Sequence, residues 1–268
     1  MADGEVRIGT CGYRWYDPES GWKERYESKL AAYADDPAFD LVELNTTFYS
    51  LPQQSTAERW REEAGEGFEF SAKGWQALTH EWRSPTWNGE REDVEDDDAL
   101  DSDEVGGLRP TESVREAWRR TAERAAALDA GVALLQTPPS FGATDEHGTA
   151  MREFLGDIDR EGLTLAWEPR GSWLAETERV AEICTDLDLV HVVDPLRDYP
   201  VSSHSTAYLR LHGLNADRYD YAYDYDAGEL DTLAERVDDL RADHETVYVL
   251  FNNDARFENA RALGRRFD

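Results

Sequence analysis

Eight short apolar runs recur along the chain, and nearly every one ends in a charged or amide side chain. They are 6–10 (leading into Cys11), 39–45 (Glu43, Asn45), 68–73 (Lys73), 132–137 (Gln136), 163–170 (Glu168, Arg170), 189–194 (Asp194), 207–212 (Arg210, His212) and 247–254 (Asn252, Asn253, Asp254). Helical patterns lie between them, at 22–34, 55–64, 113–129, 145–159, 173–186, 228–242 and 255–266. Strand–helix alternation means a parallel sheet. Eight strands favour closure into a TIM-like (β/α)8 barrel over an open doubly wound sheet, and no GxGxxG or Walker pattern supports a nucleotide-binding open sheet. In such a barrel the polar strand ends converge at the C-terminal mouth, where the chemistry of this fold sits.

The 268 residues suit one barrel, read as a single domain over 1–268 with no Gly/Ser/Pro-rich linker. Ser55–Glu58 and Ser113–Glu116 have capping-box spacing and predict two helix starts. Two connections break the rhythm. Between strands 3 and 4 lies 84–109, in which nine of the thirteen residues 92–104 are acidic; it reads as a solvated or disordered insertion, and deletion of 92–104 is expected to spare the fold. Between strands 6 and 7, 195–205 has no helical pattern and predicts an irregular link.

Charge narrows the function. The net charge is 28 − 58 = −30, with only three lysines, Lys23, Lys29 and Lys73. Such a surface reads as adaptation to high salt, where the screening length falls to about 3 Å; the alternative is a merely acidic protein. Either way a nucleic-acid partner is disfavoured, since that affinity rests on basic groups neutralising phosphates. No hydrophobic stretch reads as a membrane span or secretory signal, so the expected location is the cytoplasm. Cys11 and Cys184 match no zinc or redox spacing and read as buried apolar residues, with Cys11 a minor site candidate. The oligomeric state is not readable.

Strand parity sharpens the site. Side chains alternate faces, so Glu43 with Asn45, Ser71 with Lys73, Glu168 with Arg170 and Arg210 with His212 each share a face opposite apolar neighbours. The outer face packs on helices, so these sets point inward, where charges must be paired or functional. Glu43, Lys73, Glu168 and His212 are the catalytic candidates. Asn45, Tyr49, His80, Gln136, Arg170, Trp173, Asp194, Arg210, Asn252, Asn253 and Asp254 are the substrate-binding candidates. Asp194 before Pro195 also reads as a turn residue, and the last three also read as caps of the final helix. Aromatic residues follow several strands: Tyr13, Trp15, Tyr16 and Trp22; Phe48 and Tyr49; Trp75; Trp173; and Tyr219, Tyr221, Tyr223 and Tyr225. They serve packing or a stacking wall.

At these strand ends the chain resembles the YecE-like family, also called domain of unknown function 72. IGTCGY (8–13), VELNTTFYSLP (42–52), FEFSAKGWQALTH (68–80), LLQTPPSF (134–141), WEPRGSW (167–173), YLRLHG (208–213) and VYVLFNND (247–254) match in order over almost the whole chain. The resemblance implies a TIM-barrel-like fold and brings no activity. It marks Glu43, Asn45, Thr47, Phe48, Tyr49, Lys73, His80, Gln136, Pro138, Glu168, Arg170, Trp173, Arg210, His212, Gly213, Asn252, Asn253 and Asp254. The chain departs from the family pattern at Tyr13, where Trp is usual, at Pro169 within the usual EFR-like run, and at Gly171, where His often stands.

Two classes of function remain open. One is an enzyme doing acid/base chemistry on a small polar, anionic substrate, with Lys73, Arg170, Arg210 and His212 as cations and Arg210 the first contact for an oxyanion. Glu43 and Glu168 supply acid/base capacity, and a lysine of lowered pKa suits proton abstraction or a Schiff base. The other is a non-catalytic small-ligand or nucleotide-binding module. No cofactor is required; Glu43, Glu168, Asp194 and His212 could ligate a divalent metal, though no spacing demands one.

Overall fold

The computed structural model describes residues 3–87, 89, 91–218 and 220–267. Eight parallel strands close in sequence order: β1 (Glu5–Cys11), β2 (Leu41–Leu44), β3 (Glu69–Lys73), β4 (Ala130–Gln136), β5 (Thr164–Glu168), β6 (Val190–Val193), β7 (Thr206–Leu211) and β8 (Thr246–Phe251), with β8 returning to β1. This is a (β/α)8 barrel. Helices Lys29–Ala34, Gln54–Ala64, Glu112–Ala127, Asp145–Leu155, Thr177–Asp186, Ala227–Arg241 and Arg256–Gly264 follow every strand but β6. The link from β6 to β7 is irregular, as its sequence predicts. No helix among the described residues is long and apolar enough to cross a membrane.

Parity governs the packing. Outward side chains of the strands meet the helices in two apolar clusters, one around β3–β6 and one around β7–β2. Inward Leu41, Val132, Val190, Leu250, Leu134, Ala166, Val192 and Tyr208 fill the barrel below the mouth, with Cys11 among them. Both cysteines are buried and unpaired. With the interior filled, a ligand has access only at the ends of the strands.

Three local expectations change. The helix at Gln54–Ala64 starts one residue before Ser55, with Gln53 as N-cap and no side-chain cap bond. The helix at Glu112–Ala127 is capped by Thr111, whose hydroxyl accepts from Val114 N, while Ser113 is buried within the first turn. Ser113 Oγ instead accepts from Asp101 N and donates to Glu104, tying down the acidic connection. That connection is more than a solvated loop: Trp87, Val94, Val105 and Leu108 are buried in the outer core with Trp118 and Ala122. Glu95, Asp96, Asp98, Asp101 and Asp103 are exposed, while those four apolar side chains face the barrel. An average over composition hides that division.

The acidic segment also fixes the chain just after β3. Gly106 N donates to Ala77 O at 2.7 Å and Leu108 N to Leu78 O at 2.8 Å. Trp87 Nε1 donates to His80 O at 3.3 Å. Asp97 pairs with Arg120 on the helix that follows. The segment thus straps the turn Gln76–Thr79, and His80 beyond it, onto the barrel.

Candidate functional site at the barrel mouth

The inward residues of four strands build a buried charge cluster. Arg210 on β7 is 1% exposed and lies between two carboxylates: its Nη2 donates to Glu43 at 2.7 Å, and its Nη1 donates to Glu168. Tyr208, one inward position below Arg210, donates to Glu43 at 2.9 Å and shares a 2.7 Å hydrogen bond with Ser71. Arg170 binds Glu168 through Nε at 3.1 Å and Nη2 at 3.0 Å, and Gln136 Oε1 accepts from both arginines. Burial alone would raise the Glu168 carboxyl, but Arg210 and Arg170 outweigh it and hold the group well below the usual carboxylate range. Burial opposes the charge on Arg210 too, and Glu168 and Glu43 reverse it, raising its pKa well above the usual value.

His212 continues β7 upward. Its Nδ1 donates to the Arg210 carbonyl at 3.1 Å, and Nε2 lies 3.9 Å from Glu168. Burial lowers its pKa to about 3, despite Glu168 pulling the other way. His212 is therefore neutral at physiological pH, which corrects its count as a cation.

Lys73 differs from the other charges. It is 8% exposed and, among the described residues, its Nζ has no hydrogen-bond or ion-pair partner. Nζ sits 4.1 Å from the centre of the Phe48 ring. Burial, then the Arg210 charge, lowers its pKa to about 7, with Glu43 and Glu168 partly opposing and Arg170 assisting. His80 packs edge-on against the same ring at 4.9 Å, and Thr79 Oγ1 engages its Nδ1 at 2.8 Å. Burial, Lys73 and Arg170 lower the His80 pKa to about 3, so it too is neutral.

Two cavities adjoin the cluster. The larger, about 730 Å³, is lined by Asn45, Tyr49, Lys73, His80, Gln136, Arg170, Arg210 and Asn252, with Phe48, Arg83 and Tyr221. The smaller, about 240 Å³, lies on the β5–β7 side and is lined by Glu168, Trp173, His191, Asp194, Arg210 and His212. Asp194 accepts from Leu196 N at 3.0 Å and His212 N at 3.4 Å, so it is a turn residue that also faces this cavity. Burial raises its carboxyl to about 6 against those two hydrogen bonds.

Thirteen of the fifteen candidates from the sequence thus stand in the cluster or around its cavities. Two do not. Asn253 points the other way, donating to Tyr223 O at 2.8 Å and Asn259 Oδ1 at 2.7 Å, and Asp254 is exposed and lines neither cavity. The strand alternation carries over from Asn252, so the next residue faces the helices. Trp173 lines the smaller cavity only, and stacks its edge against Trp167 at 5.2 Å.

The carboxylates do not make a metal site. Arg210 occupies the space between Glu43 and Glu168, and Asp194 is committed to backbone N–H groups. Among the described residues, no three His, Cys, Asp or Glu side chains gather as a ligand set.

The family profile described as "Protein of unknown function DUF72" matches residues 7–268. The chain belongs to this family. It is 23% identical to UPF0759 protein YunF of Bacillus subtilis (strain 168), over 93% of this chain and 89% of that one. A DUF72 family protein from Enterococcus faecalis V583 superposes with a TM-score of 0.72 at 20% identity, covering 100% of this chain and 99% of the other. One from Thermotoga maritima MSB8 does so at 0.71 and 22%, covering 98% and 99%.

This DUF72 protein has no room for the histidine that the family resemblance places at 171. Gly171 has φ +65°, and a Cβ there would meet Pro139 O at 2.6 Å. Gly213 is equally constrained, with φ +102° and Tyr223 Cβ 2.5 Å from an added Cβ. Tyr208 and Ser71 also belong to the site, and parity with Arg210 and Lys73 marks both as inward. Arg83 lies in a loop with no periodic signal to orient it. Of the aromatic groups, Tyr49 and Tyr221 reach the larger cavity, Trp15 is exposed, and Tyr16 and Tyr225 are core. Tyr219 lies outside the described residues.

Proposed function

We propose that this protein is an enzyme that moves a proton on a small anionic substrate held in the larger mouth cavity, with Lys73 as the group that takes and returns it. The observation that carries this reading is the Lys73 amine: buried, without a counter-ion among the described residues, opening on a cavity, and with a pKa of about 7. An acid/base group works best when its pKa lies near the operating pH. Glu43 and Glu168 are poorer candidates than their residue type suggests, because Arg210 holds both. Arg210 is likewise a poor first contact for the substrate, since both its terminal nitrogens are engaged and it is almost fully enclosed. Arg170 and Arg83 on the cavity wall suit the anionic part of the substrate, with Gln136, Asn45 and Asn252 orienting it.

Those wall cations would hold an anion without any chemistry, which favours a binding module as the second reading. Proton NMR in D2O separates the two. A panel of small carboxylated and phosphorylated metabolites is incubated with wild type and with Lys73→Met. Deuterium should enter a carbon position of at least one compound with wild type and not with the variant. Binding without exchange would support the binding module, and equal exchange by both proteins would remove Lys73 from the chemistry. The acidic surface, we further propose, suits the protein to molar salt.

A further inference from the structure

The larger cavity places one nucleophile against one apolar wall. Lys73 Nζ lies over Phe48, which offers no proton acceptor, and His80 flanks the other side of that ring. The nearest carboxylates are already satisfied: Glu43 by Arg210 and Tyr208, Glu168 by Arg210 and Arg170. Neither carboxylate lines the larger cavity, and the one that does, Glu81, is exposed. A lysine meant only to hold an anion gains from full protonation and from a hydrogen-bonded seat. Lys73 has neither, and its surroundings favour the free amine, which has a lone pair to give.

We propose that Lys73 forms an imine with a small carbonyl compound carrying a carboxylate or phosphate, the carbonyl carbon lying against Nζ and the anionic group toward Arg170 and Arg83. The inference rests on the proposed placement of the reacting group at Lys73 and names the substrate class. The Nζ lone pair attacks the carbonyl carbon, a C–N bond forms, and the C–O π pair moves onto oxygen. One Nζ proton passes to that oxygen to give a carbinolamine. The second follows as the C–O bond breaks, water leaves, and the nitrogen lone pair completes C=N. Neutral His80, with Nδ1 held by Thr79, is placed to carry these protons through Nε2. Protonated at nitrogen, the imine makes the adjacent C–H acidic; Lys73 then draws in the electron pair of that bond instead of taking the proton on its own lone pair, and the proton passes to solvent water in the cavity and returns from it.

The three lysines make the test direct. Wild-type protein is incubated at pH 7 with pyruvate, and separately with dihydroxyacetone phosphate, in the presence of sodium cyanoborohydride, which reduces an iminium to a stable secondary amine. Peptide mass spectrometry then reads the adduct on each lysine. At pH 7 an amine of pKa about 7 is half unprotonated, whereas an ordinary lysine is so by less than about one part in a thousand. The adduct should therefore favour Lys73 over Lys23 and Lys29 by at least about tenfold with at least one probe. No adduct on Lys73 with either probe, or an even spread over the three lysines, overturns the imine. Deuterium exchange by wild type without an adduct would overturn it and leave proton transfer by Lys73 standing. An adduct without exchange would keep the imine and overturn the proton-transfer reading. Since the assay uses the wild-type chain, its result does not depend on a variant folding.

Discussion

The two sides of the barrel mouth treat buried charge in opposite ways. On the β7 side, Arg210 is enclosed between Glu43 and Glu168, each of which has a second donor in Tyr208 or Arg170. On the β3 side, Lys73 is nearly as deeply buried and faces an aromatic ring and a cavity instead of a carboxylate. A buried charge with full pairing can be tolerated for the sake of a defined arrangement, and removing one partner exposes its cost. A buried amine left unpaired costs stability and gives nothing back to the fold. The first side therefore reads as the frame of the site and the second as its reactive part.

The largest effect should come from breaking the frame. Arg210→Ala leaves Glu43 and Glu168 buried without their shared cation and should lower stability by about 3–5 kcal/mol. Lys73→Met should be neutral or stabilising in the same denaturant titration, since it replaces an unpaired amine with an apolar chain of similar length. The reverse order of the two variants would erase the distinction. The sign with pH follows from linkage. Lys73 has a lower pKa folded than unfolded, so between about 7 and its ordinary value near 10.4 the unfolded chain binds more protons. The advantage of Lys73→Met should be greatest below pH 7 and should shrink as pH rises through that window.

A smaller loss is expected from the segment that straps the β3 side. Deleting 92–104 removes buried Val94 and the Asp97–Arg120 pair. Burial of a valine alone is worth about 1.5–3 kcal/mol, so the deletion should destabilise by at least that much, measured by thermal melting. Ligand binding at the larger cavity should change less, because Trp87, Gly106 and Leu108, which hold Ala77, Leu78 and His80, lie outside the deleted run. An unchanged melting point would return 92–104 to a solvated tail.

The smallest difference should appear in a salt series, which separates surface from buried charge. Raising KCl from about 0.1 M to 1 M shortens the screening length from about 10 Å to 3 Å and relieves the repulsion of an acidic surface. The melting midpoint should rise, while the gap between wild type and Arg210→Ala should stay nearly constant, because that cluster is shielded from salt. A flat or falling midpoint would reject adaptation to high salt.

Much of this was legible in the sequence because strand parity is a strict rule. Arg210, Glu43, Glu168 and Lys73 alternate with apolar neighbours, and closure of the barrel leaves them one direction to point. Asn253 and Asp254 lie past the end of β8: alternation continued from Asn252 turns Asn253 toward the helices, a rule the grouping of all three as site residues passed over, and Asp254 alone departs from it by lying exposed. The role of 84–109 was hidden because Trp87, Val94, Val105 and Leu108 are scattered among acidic residues without a period. The states of Lys73 and His212 were beyond reach for another reason. Residue type offers both as cations, and only the depth of burial and the partners within a few ångströms decide whether they carry the charge.

Lys73 is one of only three lysines, so its titration can be read on the wild-type chain. Brief acetylation with acetic anhydride across a pH series, quantified by mass spectrometry on the peptides holding Lys23, Lys29 and Lys73, reports the free-amine fraction at each position. The paired frame and unpaired amine described here predict that labelling of Lys73 inflects near pH 7. An inflection near the ordinary lysine value of about 10.4 would show a conventional ammonium at the mouth and contradict both the division of the site and the chemistry proposed for it.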